Sequence, residues 1–420
     1  MKKRQANSLT LLNLISGQTL SDLRHELEEL ANGGLRDHTA QAMWQHVLYQ
    51  EVLLAVRERV LPAAQRNYDL LKQVADIESN LNLDKETVSV DFTDRFENSV
   101  SKLIDAIKDR KNKDESVREF TATFFDKIIP KTRDSILSLN KFYSKIVIMI
   151  DDLDKGWPPQ SLDKQDVVIV RHLIEALRKI ERELRSRGQS FNSMVFLRSD
   201  VYENLVDVTS DRNKQNVVRI DWSDTAQLAY LMKQRVVSAF ADVSTKEEAW
   251  EAFNPILSDG RHAIDHLVNA SLYRPRFLID LSQRVLARTV NRGAVYVSDD
   301  DVELALDEMS LYLISDFGFE VRDVSGIRED LFYLFIGCKD IITKDEILNI
   351  LDNEISGIDI DKMIQLLMWY GFLGVAKSDQ RKIYIFDRGY DLRRLLADRD
   401  AKIEDTMYCV NPAFLRGLAD

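Results

Sequence analysis

The spacing of apolar and polar positions changes several times along the chain, and each change marks an element. Leu9 to Ile15, "LTLLNLI", is a short apolar run that reads as a buried strand. Ser21 to Ala31 has helical spacing with Ser21 as its cap, and Asp37 to Leu61 predicts a long helix stopped by Pro62. Ser79 to Glu115 is polar and charge-rich apart from "TVSVDF", and reads as an insertion. The clearest stretch is Ile146 to Ile150, a continuous apolar run of the kind a parallel sheet buries on both faces. Gln165 to Arg187 follows with Val170, Leu173, Leu177, Ile180 and Leu184 at three- and four-residue steps, and Gly188 stands where a helix cap belongs. Ser193 to Asp200, "SMVFLRSD", is a second apolar strand. Strand, helix, strand at this spacing predicts a βαβ unit, with Val217 to Trp222 as a third strand of the same sheet.

After Asp224 the spacing is helical almost throughout, with Ser298 capping a helix that begins "DDDVELAL". The last ninety or so residues change again. Ile327 to Ile336 is helix-like, and "TKDE" from Thr343 to Glu346 is a capping box. A helix to Leu351 and another from Ile360 to Tyr370, ended by Gly371, precede "FLGVA", a polar turn and "RKIYIF". Three helices and a two-stranded wing predict a winged helix-turn-helix.

Bulk composition narrows the choice of function. The 420 residues suit two or three domains, and 45% hydrophobic with 30% charged residues describes a soluble globular chain. A net charge of −12 argues against an overall attraction to nucleic acid or anionic lipid. Cys338 and Cys409 are too few for a disulfide framework, which favours a reducing cytoplasm. The N-terminus places basic residues before a short apolar run, but Asn13 interrupts the run and no small-residue cleavage site follows.

The chemistry concentrates where the central strand ends, in "IVIMIDDLDKGW". Ligands of parallel α/β sheets bind beyond the carboxyl ends of the strands, and Asp151, Asp152, Arg198 and Asp200 all fall at such ends. An apolar run closing in two acids resembles the Walker B strand of P-loop NTPases. Acids also follow buried strands where a chain simply leaves its core. Asp154, the Arg on the next strand and "RPR" at Arg274 to Arg276 weigh toward the nucleotide reading. With "MVFLRSDVYENL", "VVRIDWSDTAQLAYLMKQRV", "LYRPRFLIDLSQRVLA" and "YCVNPAFLRGLAD" in the same order, the chain is similar to a bacterial P-loop ATPase family related to the KAP and STAND NTPases.

That resemblance implies an α/β fold with a P-loop NTPase-like parallel core over 1–222, carrying an insertion around 79–115. A helical lid over 223–320 and a winged helix-turn-helix over 321–420 would follow. It implies Mg²⁺ and ATP as cofactors. Asp151 would hold the metal through water, Asp152 would act on the catalytic water, and Arg198 would sense the γ-phosphate. Arg276 and Arg274 would be lid residues near the phosphates. A salt bridge is the alternative for Arg198. A solvent-facing helix start with Pro275 in its first turn is the alternative for the lid arginines.

One part is missing. No G-x-x-x-x-G-K-[ST] occurs; "SGQT" at Ser16 and "NGGLRD" at Asn32 lack the lysine and the strand-to-helix context. One expectation is a core lacking its first strand and phosphate loop, which would lie upstream of Met1. The other is a variant that no longer hydrolyses nucleotide. Either way the chain alone is expected to bind ATP weakly or not at all, because the loop's N–H groups and lysine neutralise the triphosphate.

Two function classes therefore stand: an NTP-dependent switch, and a non-catalytic scaffold binding protein or nucleic acid. From Ile327 to Asp420, 13 Lys+Arg face 17 Asp+Glu, a balance of −4, and the candidate recognition helix, Ile360 to Tyr370, has Lys362 as its one base. Self-association or a protein partner is expected ahead of DNA, and no membrane. His262 and His266 stand four apart, without an evident third ligand for a metal.

Overall fold

The computed structural model describes residues 8–14, 37–81, 122–151, 153, 164–198, 201–202, 205–206, 217–218, 220–325, 327–352, 359–377, 381–400 and 407–419. The chain falls into two compact units, Met1–Lys214 and Gln215–Asp420. The expected helix at Ser21 to Ala31, the "TVSVDF" piece, Asp152 and Asp154 lie outside the described residues. Among the described residues no helix is long and apolar enough to cross a membrane.

Among the described residues the first unit is built on a three-stranded sheet in the order β1 (Ser8–Leu14), β2 (Lys145–Asp151), β3 (Ser190–Val195). All pairings are parallel, with Leu9 opposite Ile146 and Ile146 opposite Phe191. A parallel pair needs a long crossover. Between β1 and β2 the chain passes through α1 (Asp37–Ala64), α2 (Tyr68–Asn80) and α3 (Ile129–Ser138); between β2 and β3 it passes through α4 (Lys164–Ser186). Helix α1 runs two residues past Pro62, so the proline falls inside its last turn and does not stop it.

The apolar stripe of α4 is buried as its spacing requires: Val170, Leu173, Leu177, Ile180 and Leu184 are at most 2% exposed. Each such side chain contributes roughly 1.5–3 kcal/mol of transfer free energy. Gly188 takes φ +79°, the left-handed cap a side chain would strain. Central strand β2 is less symmetric than its apolar run predicts. Ile146, Ile148 and Ile150 are fully buried, while Val147 and Met149 on the opposite face are half-buried. On β3 that second face opens further, with Met194 45% exposed. The stretch expected as a third strand is not one: the described residues of 217–222 form no ladder, and Val218 and Ile220 are exposed.

The second unit begins with five helices: α5 (Thr225–Ser238), α6 (Val243–Phe253), α7 (Ala263–Ala270), α8 (Pro275–Asn291) and α9 (Asp299–Ser325). Then come β4 (Ile341–Thr343), α10 (Lys344–Asp352), α11 (Ile360–Trp369), β5 (Leu373–Ala376), β6 (Lys382–Ile383), α12 (Leu392–Asp400), β7 (Met407–Val410) and a last turn, α13 (Pro412–Leu415). The strands form an antiparallel sheet in the order β4-β7-β5-β6. The expected two-stranded wing is thus the β5–β6 edge of a wider sheet, and β7, from the "YCV" of the C-terminal stretch, pairs between β4 and β5. Ile327 to Ile336, expected as a helix, is a short 3-10 turn at Leu331–Phe335.

The boundary expected near residue 320 does not divide the packing. One continuous apolar core joins the five helices to the sheet. At its centre the Phe317 ring of α9 lies 5.2 Å from Tyr370 and 5.8 Å from Phe414, and Phe414 lies 5.2 Å from Phe372. The capping box holds: Thr343 N–H donates to Glu346 Oε2 at 2.8 Å, and Glu346 N–H to Thr343 Oγ1 at 3.1 Å.

Two expected outcomes test this packing. A Cβ on Gly318 would sit 2.0 Å from the Glu329 carbonyl oxygen. Gly318→Ala, inside α9, is therefore expected to lose about 1–3 kcal/mol in urea unfolding, where Gly→Ala in an open helix gains about 1 kcal/mol. Asp301 is buried at the start of α9; burial opposes its charge, but hydrogen bonds from Arg292, Ser298 and Thr289 outweigh that and hold its pKa at about 2. A depressed carboxylate pKa stabilises the fold above its unfolded value, 3.8. That stability is lost as pH falls through the folded value. Acid unfolding of Asp301→Asn followed by circular dichroism is expected to show a shallower loss between about pH 4 and pH 2.

Candidate functional site

The parallel ladder decides which side chains share a rim. Asp151 closes β2, with Leu14 beside it in the β1 register. On the other side Val195 pairs with Ile150, and Phe196 N–H donates to the Ile150 carbonyl at 2.9 Å, carrying the ladder one step beyond β3. Arg198 follows two residues later, half-buried, and its carbonyl accepts from Tyr202 N–H at 3.0 Å as the chain turns helical. Val201 and Leu205 anchor that turn at 2% and 1% exposure. Asp151 and Arg198 therefore both lie at the C-terminal rim of one parallel sheet, on adjacent chain exits.

Mg²⁺ keeps most of its waters and takes one or two carboxylates. Asp151 ends the strand as a single described carboxylate, with Asp152 next to it in the sequence. Among the described residues no group of three or more His, Cys, Asp or Glu could hold a metal ion. His262 is no helical partner of His266: it is the N-cap of α7, its Nδ1 faces the Asn254 carbonyl at 3.2 Å, and His266 Nε2 pairs with Asp259 at 3.1 Å.

Arg274 and Arg276 belong to the second unit, where they diverge. Arg276 is exposed at the start of α8. Arg274 is the N-cap of the same helix and lies among three rings, 5.4 Å from Phe277, 5.2 Å from Phe317 and 5.3 Å from Tyr390. Its Nε–H donates to Tyr390 Oη at 3.1 Å, and that hydroxyl donates to the Leu272 carbonyl at 2.7 Å. Burial works against the guanidinium charge, yet the Tyr390 oxygen and the Glu320 carboxylate hold its pKa above the usual range. Leu272, Tyr273 and Tyr390 have φ of 52°, 55° and 59°, a left-handed region costly for such residues. Sequence spacing could mark "RPR" as a helix start, but the cage comes from residues over a hundred positions apart.

The bases around the β5–β6 turn are Lys377, Arg381 and Lys382. Lys377 pairs with Asp398 at 2.8 Å, and Lys382 with Asp340 at 3.0 Å. Helix α11 spends Met363, Ile364, Leu367 and Met368 on the core.

Comparison with known proteins reaches part of this chain. Residues 226–318 match the FunZ-associated C-terminal helical domain. That segment spans α5 to most of α9. The chain is also 24% identical over 221 residues to the 80.3 kDa protein named for transposon gamma-delta from Escherichia coli (strain K12), an alignment covering 51% of this chain and 30% of that protein. It is 23% identical over 133 residues to Allergen Alt a 2 of Alternaria alternata, covering 31% of this chain and 70% of that protein. The chain thus spans under a third of the length of the transposon relative. No solved structure matches.

Arg274→Lys keeps the charge but loses the planar stacking and fork geometry, so it is expected to lower the thermal midpoint, as is Arg274→Ala. Arg276→Ala is expected to leave the midpoint within a degree or so, as surface substitutions do. Differential scanning fluorimetry of the three variants decides between cage and lid roles for Arg274.

Proposed function

We propose that the first unit is a nucleotide-handling core of the P-loop ATPase type related to KAP and STAND NTPases, acting as an NTP-dependent switch. The observation that carries this reading is Asp151 at the tip of the central strand of an all-parallel sheet, with Arg198 on the neighbouring exit. Bound Mg-ATP would supply a polarised γ-phosphoryl group. Asp151 would accept hydrogen bonds from metal-bound water, Asp152 would orient the attacking water, and Arg198 would offer its guanidinium to the γ-phosphate. The helical segment around the FunZ-type match, 226–318, takes the lid role, and the module after it that of a winged helix. The reading rests on the sheet; neither protein comparison names an ATPase.

A second reading, a non-catalytic scaffold, is favoured by one observation: the 420 residues hold no phosphate loop. Two acids at a strand tip repel phosphate unless Mg²⁺ intervenes, and without the loop's N–H groups the chain grips a triphosphate poorly. Direct DNA binding is the weaker form of this reading, because Lys377 and Lys382 are already ion-paired.

Isothermal titration of the chain with ATP separates the two. The switch reading expects weak, Mg²⁺-dependent binding near about 1 mM, lost in Asp151→Asn and Arg198→Ala. Binding indifferent to Mg²⁺ or to Asp151→Asn hands the case to the scaffold.

A further inference from the structure

We propose that the second unit carries a self-complementary face through which two copies of this chain associate. The face lies within the five helices and is independent of the nucleotide reading. Helices α5, α6 and α8 enclose a groove of about 600 Å³ whose floor is apolar, with Met232, Phe253 and Val297 buried beneath it. Its rim is apolar as well: Phe240 is 40% exposed, and Leu286 and Tyr296 are exposed beside it. The buried hydroxyls of its lining are turned to their own helix: Ser282 donates to the Leu278 carbonyl at 2.7 Å and Thr289 to the Val285 carbonyl at 3.0 Å. Exposed apolar surface of this kind marks an interaction site.

The same face carries a ridge. On its other side α5 borders a second hollow of about 530 Å³, lined by Trp222, Tyr230 and Leu231. Helix α5 thus stands between two depressions, and Arg235 lines both. A ridge beside a groove suits a twofold axis, since the ridge of each copy can enter the groove of the other.

Charge selects a second copy over other occupants. Arg235 on α5 and Glu248 on α6 line the groove, and neither makes an ion pair among the described residues. Their neighbours on the same two helices, Lys233 and Glu247, are paired at 3.3 Å. A ligand or peptide of one sign would satisfy one of the two charges and oppose the other. A twofold-related copy brings Glu248 to Arg235 and Arg235 to Glu248 in a single contact.

Sedimentation equilibrium of the full chain tests this. The wild type is expected to dimerise at tens of micromolar, and Phe240→Glu to remain monomeric with unchanged circular dichroism. Arg235→Glu and Glu248→Arg are each expected to weaken the dimer about tenfold, and the double reversal to restore it to within about threefold. A chain that stays monomeric up to hundreds of micromolar overturns the proposal. So does a dimer indifferent to Phe240→Glu, or a double reversal no better than either single change.

Discussion

A parallel strand cannot satisfy its ladder from the residues next to it in sequence. Every neighbour must be brought round by a crossover, and the crossover must pack back on the sheet. For β2 this brings β1 from more than a hundred residues upstream and β3 from beyond α4. The requirement explains the fully buried Ile146, Ile148 and Ile150 row beneath the helices. It also puts all strand exits on one rim. Asp151 and Arg198 are forty-seven positions apart in sequence and share an edge because the strands are parallel. With antiparallel strands they would lie at opposite ends of the sheet, and no nucleotide reading would arise.

The second unit is organised around a cation instead. Arg274 costs desolvation to bury, and it stays charged because three ring faces and the Tyr390 oxygen surround it. The left-handed backbone at Leu272, Tyr273 and Tyr390 belongs to the same node. Such conformations persist where surroundings over-determine them. Here the Tyr390 hydroxyl ties the Leu272 carbonyl to a residue of the C-terminal sheet region, so the strain holds two stretches of chain in register. That placement makes Arg274 a structural residue of the core joining helices and sheet. Arg276, two residues on, is exposed at the start of α8.

The sequence made visible whatever depends on short-range periodicity. The stripe of α4, the left-handed Gly188 and the Thr343–Glu346 box need one helix and its ends, and all were readable. Asp151 at a strand tip was readable for the same reason. What escaped depends on partners far away. Val217 to Trp222 has the β-branched residues of a strand, but a strand exists only where a neighbour offers its ladder, and none does among the described residues. Strand β7 is four residues long and is fixed by β4 and β5 rather than by its own pattern. The cage around Arg274 draws on Phe317 and Tyr390, and a single sequence gives no sign that they meet.

Charge placement limits what the C-terminal sheet region can bind. The chain is acidic overall, at −12, yet its cations are not scattered as a generic anion trap. In the C-terminal sheet region they are held by carboxylates: Arg388 and Lys377 share Asp398, Lys382 holds Asp340, and Arg416 bridges Glu303 and Asp307. A phosphate polymer approaching that face would have to break several such pairs and would meet the carboxylates left behind. Paired in this way, the cations of that region serve the fold before any ligand.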